Sequence, residues 1–228
     1  MSASIRDNQE LWEARYQRGE GRLRYPFDAV VSFVLQTLRK ASPPAAVLDF
    51  GCGAGNHLWF LVENRFAAYG VDAAPTAVLL SREAIARTDL SYPLERVALM
   101  EGGVIPFAAA LFDAVIDRSS LGQNRIGEIR PLIAEIHRVL KPGGRYFGIN
   151  FSDRHPDLVY GNDLGSGDYG DFRAGVFKGI GSRHFFGVAE IPTLFDRFEI
   201  EDIRLLSEVS TMGRGAIEQI IVQARKPG

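Results

Sequence analysis

A single cysteine, Cys52, cannot close an internal bridge, which excludes the small secreted scaffolds held together by disulfides. The chain has only four histidines, and none stands at a spacing to cysteine or carboxylate that would ligate a metal. A net charge of -2 spread over 228 residues exerts no long-range pull on nucleic acid or anionic lipid. Long apolar runs are also missing. The most apolar window, residues 104–116, is broken by Pro106 and Asp113 and falls short of a membrane span. The opening MSASIRDNQELWEARY is polar and has no apolar stretch of the kind a secretory leader needs, so a cytoplasmic setting is expected. No internal repeat and no phosphate-loop lysine motif occurs. What is present, 46% hydrophobic and 24% charged residues, is the balance of an ordinary globular protein and argues against disorder or coiled coil. The length fits one domain, 1–228, with an added cover or lid.

From residue 45 to 151, short apolar runs alternate with longer amphipathic ones. Strands are expected at 46–50, 68–71, 96–100, 112–116 and 144–151, with helices at 56–64, 76–87 and 128–140 between them. Parallel strands joined by right-handed helical crossovers make a doubly wound α/β sheet covered on both faces. Pro142-Gly143-Gly144 is expected to stop the last of those helices and turn the chain into the fifth strand. Two pieces flank this core. Residues 1–40 carry Trp12, Tyr16 and Tyr25 before an amphipathic stretch at 27–38. Residues 152–186 are rich in Gly, Asp and aromatics with little periodicity, which suggests a lid over the ligand crevice or structure without a local signal. Residues 187–228 return to order, with a helix near 189–195 and strands near 200–206 and 216–224 that complete the sheet.

The strongest chemical signal is Val47-Leu48-Asp49-Phe50-Gly51-Cys52-Gly53-Ala54-Gly55-Asn56, a strand running through glycines into a helix. Glycines there let the backbone turn sharply and a ligand approach without meeting a Cβ atom. About twenty residues beyond Gly51 the next strand ends in Asp72, where a carboxylate can accept both ribose hydroxyls of an adenosine. A dinucleotide fingerprint would place its third glycine at 56; here Asn56 stands there and the third glycine is Gly55. That spacing fits an adenosine ligand without a pyrophosphate better than NAD.

These motifs resemble those of the class I S-adenosylmethionine-dependent methyltransferases, over residues 45–150. Residues 48–55 match the family's glycine motif, Gly70-Val71-Asp72 its acidic strand end, and Arg138-Val139-Leu140-Lys141-Pro142-Gly143-Gly144 the helix-to-strand turn of its small-molecule branch. Glu101-Gly102-Gly103, with Phe112-Asp113-Ala114-Val115 after it, looks like the segment passing the adenine, although the family often has Asp where Glu101 stands. Leu11 to Tyr16 looks like the aromatic segment with which many members cover the cofactor. The resemblance implies a Rossmann-like sheet of seven strands with the last antiparallel, S-adenosylmethionine as cofactor and S-adenosylhomocysteine as product. It implies a cofactor site built from Tyr16, Tyr25, Asp49, Gly51, Gly53, Gly55, Asn56, Asp72, Ala73, Glu101, Gly102, Gly103 and Asp117.

The expected reaction is methyl transfer to O or N of a small-molecule or sugar-like acceptor, by a monomer or homodimer with no nucleic-acid or membrane partner. Asp117 and Arg118, at the carboxyl end of the fourth strand, either face cofactor and acceptor or form a local ion pair that shapes the crevice. If the acceptor is a hydroxyl, a base helps, and His184 at the aromatic end of the presumed lid is the first choice; the competing reading is a structurally hydrogen-bonded histidine. Two other functions remain open at this point: an NAD-dependent oxidoreductase, and a cofactor-binding protein without turnover.

Overall fold

The structure, a computed structural model, describes residues 3–39, 44–209 and 216–228. After helices α1 (Ala3–Gln17) and α2 (Asp28–Thr37), the chain alternates β1 (Ala46–Phe50), α3 (Asn56–Glu63), β2 (Ala67–Asp72), α4 (Pro75–Thr88) and β3 (Val97–Leu99). It continues through β4 (Phe112–Arg118), α5 (Ile126–Val139) and β5 (Leu140–Phe151). A small appended sheet follows, with β6 (Asn162–Gly165), β7 (Asp168–Gly170) and β8 (Arg183–His184). A short α6 (Ile191–Leu194) leads to the closing hairpin of β9 (Glu199–Val209) and β10 (Ala216–Arg225).

The main sheet has seven strands in the order β3-β2-β1-β4-β5-β10-β9. Strands β1 to β5 run parallel, and β10, last in sequence, pairs antiparallel with both β5 and β9. The expected seven-stranded Rossmann-like sheet is therefore what forms. Its central strands are buried on both faces because alternate residues serve opposite cores. Leu48 and Phe50 of β1 join Val115 of β4 and the inner face of α5, whereas Val47, Ala114 and Ile116 pack under α2, α3 and α4. In α5 the apolar residues Ile129, Leu132, Ile133, Ile136 and Val139 make one stripe, all buried, and Glu128 reaches back to accept the Arg125 N–H at the helix start (3.1 Å).

One expectation shifts. The fifth strand begins at Leu140 rather than 144: its pairing with β4 jumps from Phe112–Leu140 to Ala114–Arg145, so Pro142 and the two glycines sit in a bulge between paired segments. A proline has no N–H to give the ladder, and the bulge takes it out of the pairing.

The chain places β1 between β2 and β4, so connections leave β1 and β4 in opposite directions. At that reversal the loops splay apart and a crevice opens beyond the carboxyl ends of the strands. Both flanking pieces cover it. Helix α1 is pinned from the far side by Glu13, which accepts the Thr76 N–H (2.9 Å) and hydroxyl (2.6 Å) at the start of α4. Residues 152–186 are not a bare loop: β6, β7 and β8 form a three-stranded antiparallel sheet over an aromatic cluster of Phe172, Phe177 and Phe185. The β6–β7 connection is the pair Ser166-Gly167, both at positive φ (56° and 82°), which matches the right-handed twist of the two strands.

Candidate functional site

A cavity of about 400 Å³ fills the crevice, a size suited to a small-molecule site. One half is walled by the glycine loop, Asp72 to Ala74, Met100, Gly102, Gly103 and Leu132. Within it Asp72 sits at the tip of β2, its carboxylate held by the Gly53 N–H on Oδ2 and the Ala74 N–H on Oδ1, each at 2.9 Å. Burial is the largest influence on this group and lifts its pKa to about 6, against the pull of those two N–H groups. The carboxylate is thus fixed in direction, with acceptor capacity left for two hydroxyls.

The loop itself is shaped for close approach. Gly53 has φ +54°, and a Cβ there would stand 2.8 Å from the Tyr16 hydroxyl. Tyr16 roofs this half from α1 with Trp12 beside it, ring centroids 5.9 Å apart, and Gln9 donates to the Ala73 carbonyl at 2.8 Å. Cys52 lines the same wall, its thiol 3.4 Å from Ser81 Oγ; burial pushes its pKa up, so it stays a neutral thiol.

The other half is walled by Phe27, Arg118, Gln123, Phe151, Phe177 and Arg183. Arg118 lies 3.9 Å over the Phe27 ring, and burial draws its pKa down to about 10. His57, in the first turn of α3, is also in the wall, 6.0 Å from Phe27 between ring centroids. Its Nδ1 is 3.3 Å from Asp49 Oδ1, and Nε2 is buried without a hydrogen-bond partner among the described residues. With the proton on Nδ1 and directed at Asp49, Nε2 is left as an acceptor.

Several expected site residues stand elsewhere. His184 is outside the cavity wall, buried between Asp168 (Nδ1 to Oδ1, 2.8 Å) and Glu190 (Nε2 to Oε1, 3.0 Å). Burial opposes its charge, but the two carboxylates outweigh burial and raise its pKa to about 9. A cation at neutral pH with both ring nitrogens engaged does not accept a proton, so the reading of His184 as the base is corrected to that of a brace. Asp117 is likewise a structural hub: it accepts from Ser120 N–H (2.7 Å), Leu121 N–H (3.2 Å), the Tyr146 hydroxyl (2.9 Å) and Asn150 Nδ2 (2.7 Å), away from the cavity wall. With its lone pairs filled it is neither a catalytic nor a cofactor contact.

Tyr25 is 67% exposed, and its backbone carbonyl, not its ring, serves the loop by accepting Asn56 Nδ2 at 3.0 Å. Gly55 makes room for α4, since a Cβ there would meet Ser81 Cα at 3.0 Å. Glu101 is exposed in the turn that brings Gly102 and Gly103 to the cavity, so the backbone of that turn and not the carboxylate is at hand. Asp49 acts through His57. The structure does bring Tyr16, Gly51, Gly53, Asn56, Asp72, Ala73, Gly102, Gly103 and Arg118 together in one wall. Sequence reasoning passed over Asn8, Gln9, Gln123 and Arg183, which reach the cavity only through tertiary folding.

Residues 47–144 match the family of methyltransferase domains. An uncharacterized methyltransferase of Bacillus subtilis, YodH, is 30% identical over 128 residues, 55% of this chain and 52% of the relative. The chain spans about half the length of the curated relatives it matches. Among solved structures, a SAM-dependent methyltransferase from Methanosarcina mazei superposes with a TM-score of 0.68 at 19% identity, over 89% of this chain and 99% of that one. The 1,6-didemethyltoxoflavin-N1-methyltransferase of Burkholderia thailandensis, solved with 1,6-didemethyltoxoflavin and S-adenosylhomocysteine, gives 0.64 at 17% identity over 100% and 92%.

Proposed function

We propose that the chain, whose residues 47–144 match a methyltransferase domain, transfers a methyl group from S-adenosylmethionine to O or N of a small-molecule acceptor. The observation that carries this reading is the pairing of the glycine loop with Asp72 in one wall. Asp72 Oδ1 and Oδ2 are each fixed by a backbone N–H and keep capacity for the ribose hydroxyls, while Gly51 and Gly53 leave the wall free of side chains where the methionine portion would lie. Among the described residues Asp72 is the one carboxylate in the lining, which supports placing the ribose end there.

Bound there, the sulfonium supplies an electrophilic methyl carbon; the chain's part is to hold an acceptor atom in line with it. Phe27, Phe151 and Phe177 give that half apolar walls which exclude water and favour a compact organic acceptor. His57, oriented by Asp49, is the proton acceptor within the wall. The 1,6-didemethyltoxoflavin-N1-methyltransferase, solved with 1,6-didemethyltoxoflavin bound, supports an acceptor of this size class. The lining carries two arginines at one end and no basic groove that a polynucleotide would need.

Titration calorimetry with S-adenosylmethionine, S-adenosylhomocysteine and NAD tests the reading. Saturable binding of the first two, absent for NAD and weakened about 10- to 100-fold in Asp72→Ala, is expected from the loss of two charge-assisted hydrogen bonds. Binding of NAD in their place would sink it. With acceptor in hand, His57→Asn should lower kcat by about 10²-fold or more while leaving cofactor affinity in place.

A further inference from the structure

Arg183 is the most unusual group in the cavity: a guanidinium 2% exposed, in the lining, with no carboxylate partner among the described residues. One Nη2 hydrogen goes to Gln123 Oε1, Nε has no partner, and Cζ lies 4.5 Å from the Phe177 ring centroid and 5.6 Å from that of Phe151, the two rings meeting edge-to-face at 4.8 Å. A buried cation is ordinarily paired, since an unpaired one is among the most unfavourable groups a core can hold. Burial, with Arg15 nearby, presses its pKa down to about 9, which still leaves it charged at neutral pH. The fold nevertheless invests in holding it there. Arg183 opens β8, whose next residue is the His184 brace, and Asn8 of α1 donates to the carbonyls of Gln123 and Ser182 on either side. Among the described residues the second cation of this half, Arg118, also has no carboxylate within salt-bridge distance, and the adjacent Asp117 spends its oxygens on four other donors.

We propose that the methyl acceptor carries a carboxylate, bound by the Arg183 guanidinium beside Phe151 and Phe177. This rests on the methyltransferase reading for the word acceptor, but the anion site itself does not. A carboxylate supplies the one negative charge that the guanidinium lacks, its planar fork matches the guanidinium's own, and the apolar part of such an acid meets a wall of phenyl groups. A phosphate monoester is tetrahedral and does not offer the flat fork that a carboxylate does. Arg183 is thereby a specificity-determining residue that fixes one end of the acceptor so that another atom meets the methyl group.

The test uses benzoate and its neutral isostere benzamide, titrated into the full chain saturated with S-adenosylhomocysteine and into the chain alone. Benzoate is expected to bind at least about tenfold more tightly than benzamide, the scale of one charge-assisted pair. Phenyl phosphate is expected to bind no better than benzoate. Arg183→Met should abolish the preference while binding S-adenosylhomocysteine as the parent does, and Arg183→Lys should keep part of it, since it retains charge without the fork. Equal affinity for benzoate and benzamide, binding of neither, or phenyl phosphate binding tenfold tighter than benzoate would each overturn the proposal. The wild-type comparison needs no variant and so stands even if Arg183→Met fails to fold. A chain that prefers benzoate yet ignores S-adenosylhomocysteine would retain the anion site and discard the methyltransferase reading.

Discussion

Asp72 is stabilised for ligand and not for the fold. Its pKa is about 6 in the folded chain, well above the usual carboxylate range, so its ionised form is the one burial disfavours. The stabilising contribution of its proton is fully present below the unfolded pKa and is lost as pH rises through about 6. Asp72→Asn should therefore raise the apo protein's stability at pH 7, by roughly 3 kcal/mol from a shift of this size, while weakening adenosyl ligands; thermal melts with and without S-adenosylhomocysteine check both signs. For His184 the partners are Asp168 and Glu190, and its folded pKa is about 9. What the imidazolium contributes is complete below about pH 6.5, its value in an unfolded chain, and fades as pH climbs through 9. Urea titrations at pH 7 and 9.5 should show the parent losing on the order of 2 kcal/mol more than His184→Asn does across that interval. Identical slopes would remove the brace.

At the scale of elements, α1 matters most. It is held by polar contacts, Glu13 at the start of α4 and Gln9 at Ala73, and by Tyr16 and Trp12, which pack with Ala74, Ala77 and Leu80 while lining the cavity. Because Glu13 supplies from a distance the cap that Ala74 cannot, Glu13→Ala should cost about 1 kcal/mol and loosen the roof. Deletion of residues 1–20 should weaken S-adenosylhomocysteine binding in calorimetry, and unchanged affinity would show that the roof is ornamental. Elements such as β1, β4 and α5 were legible in the sequence because their burial repeats every two or 3.6 residues within a single segment. The 152–186 piece was not, for a physical reason. Its strands are two to four residues long, too short to display a period, and its core draws Phe151, Leu158, Tyr169, Phe172, Phe177 and Phe185 from across 35 positions. Arg183 was invisible for the same cause: its meaning lies in a missing counter-charge, which only tertiary structure reveals. Gly51 and Asp72 were readable because a tight turn and a strand end are local demands.

For the molecule as a whole, the doubly wound sheet fixes where the crevice opens, and the two pieces outside it supply part of its lining. Among the described residues no helix is long and apolar enough to cross a membrane, and no group of His, Cys, Asp and Glu could hold a metal ion. The cavity is roofed from one side by α1 and walled from the other by the small sheet, and Asn8 joins the two by donating to both the Gln123 and the Ser182 carbonyls. That side chain works as a latch. If S-adenosylhomocysteine leaves between α1 and the small sheet, both of these bonds break on the way, and release is then expected to be slower than the displacement. Mixing enzyme with excess acceptor should then give a fast first round followed by a slower steady state. In Asn8→Ala the gap between the two phases should narrow, as dissociation of S-adenosylhomocysteine quickens by about tenfold in stopped-flow traces.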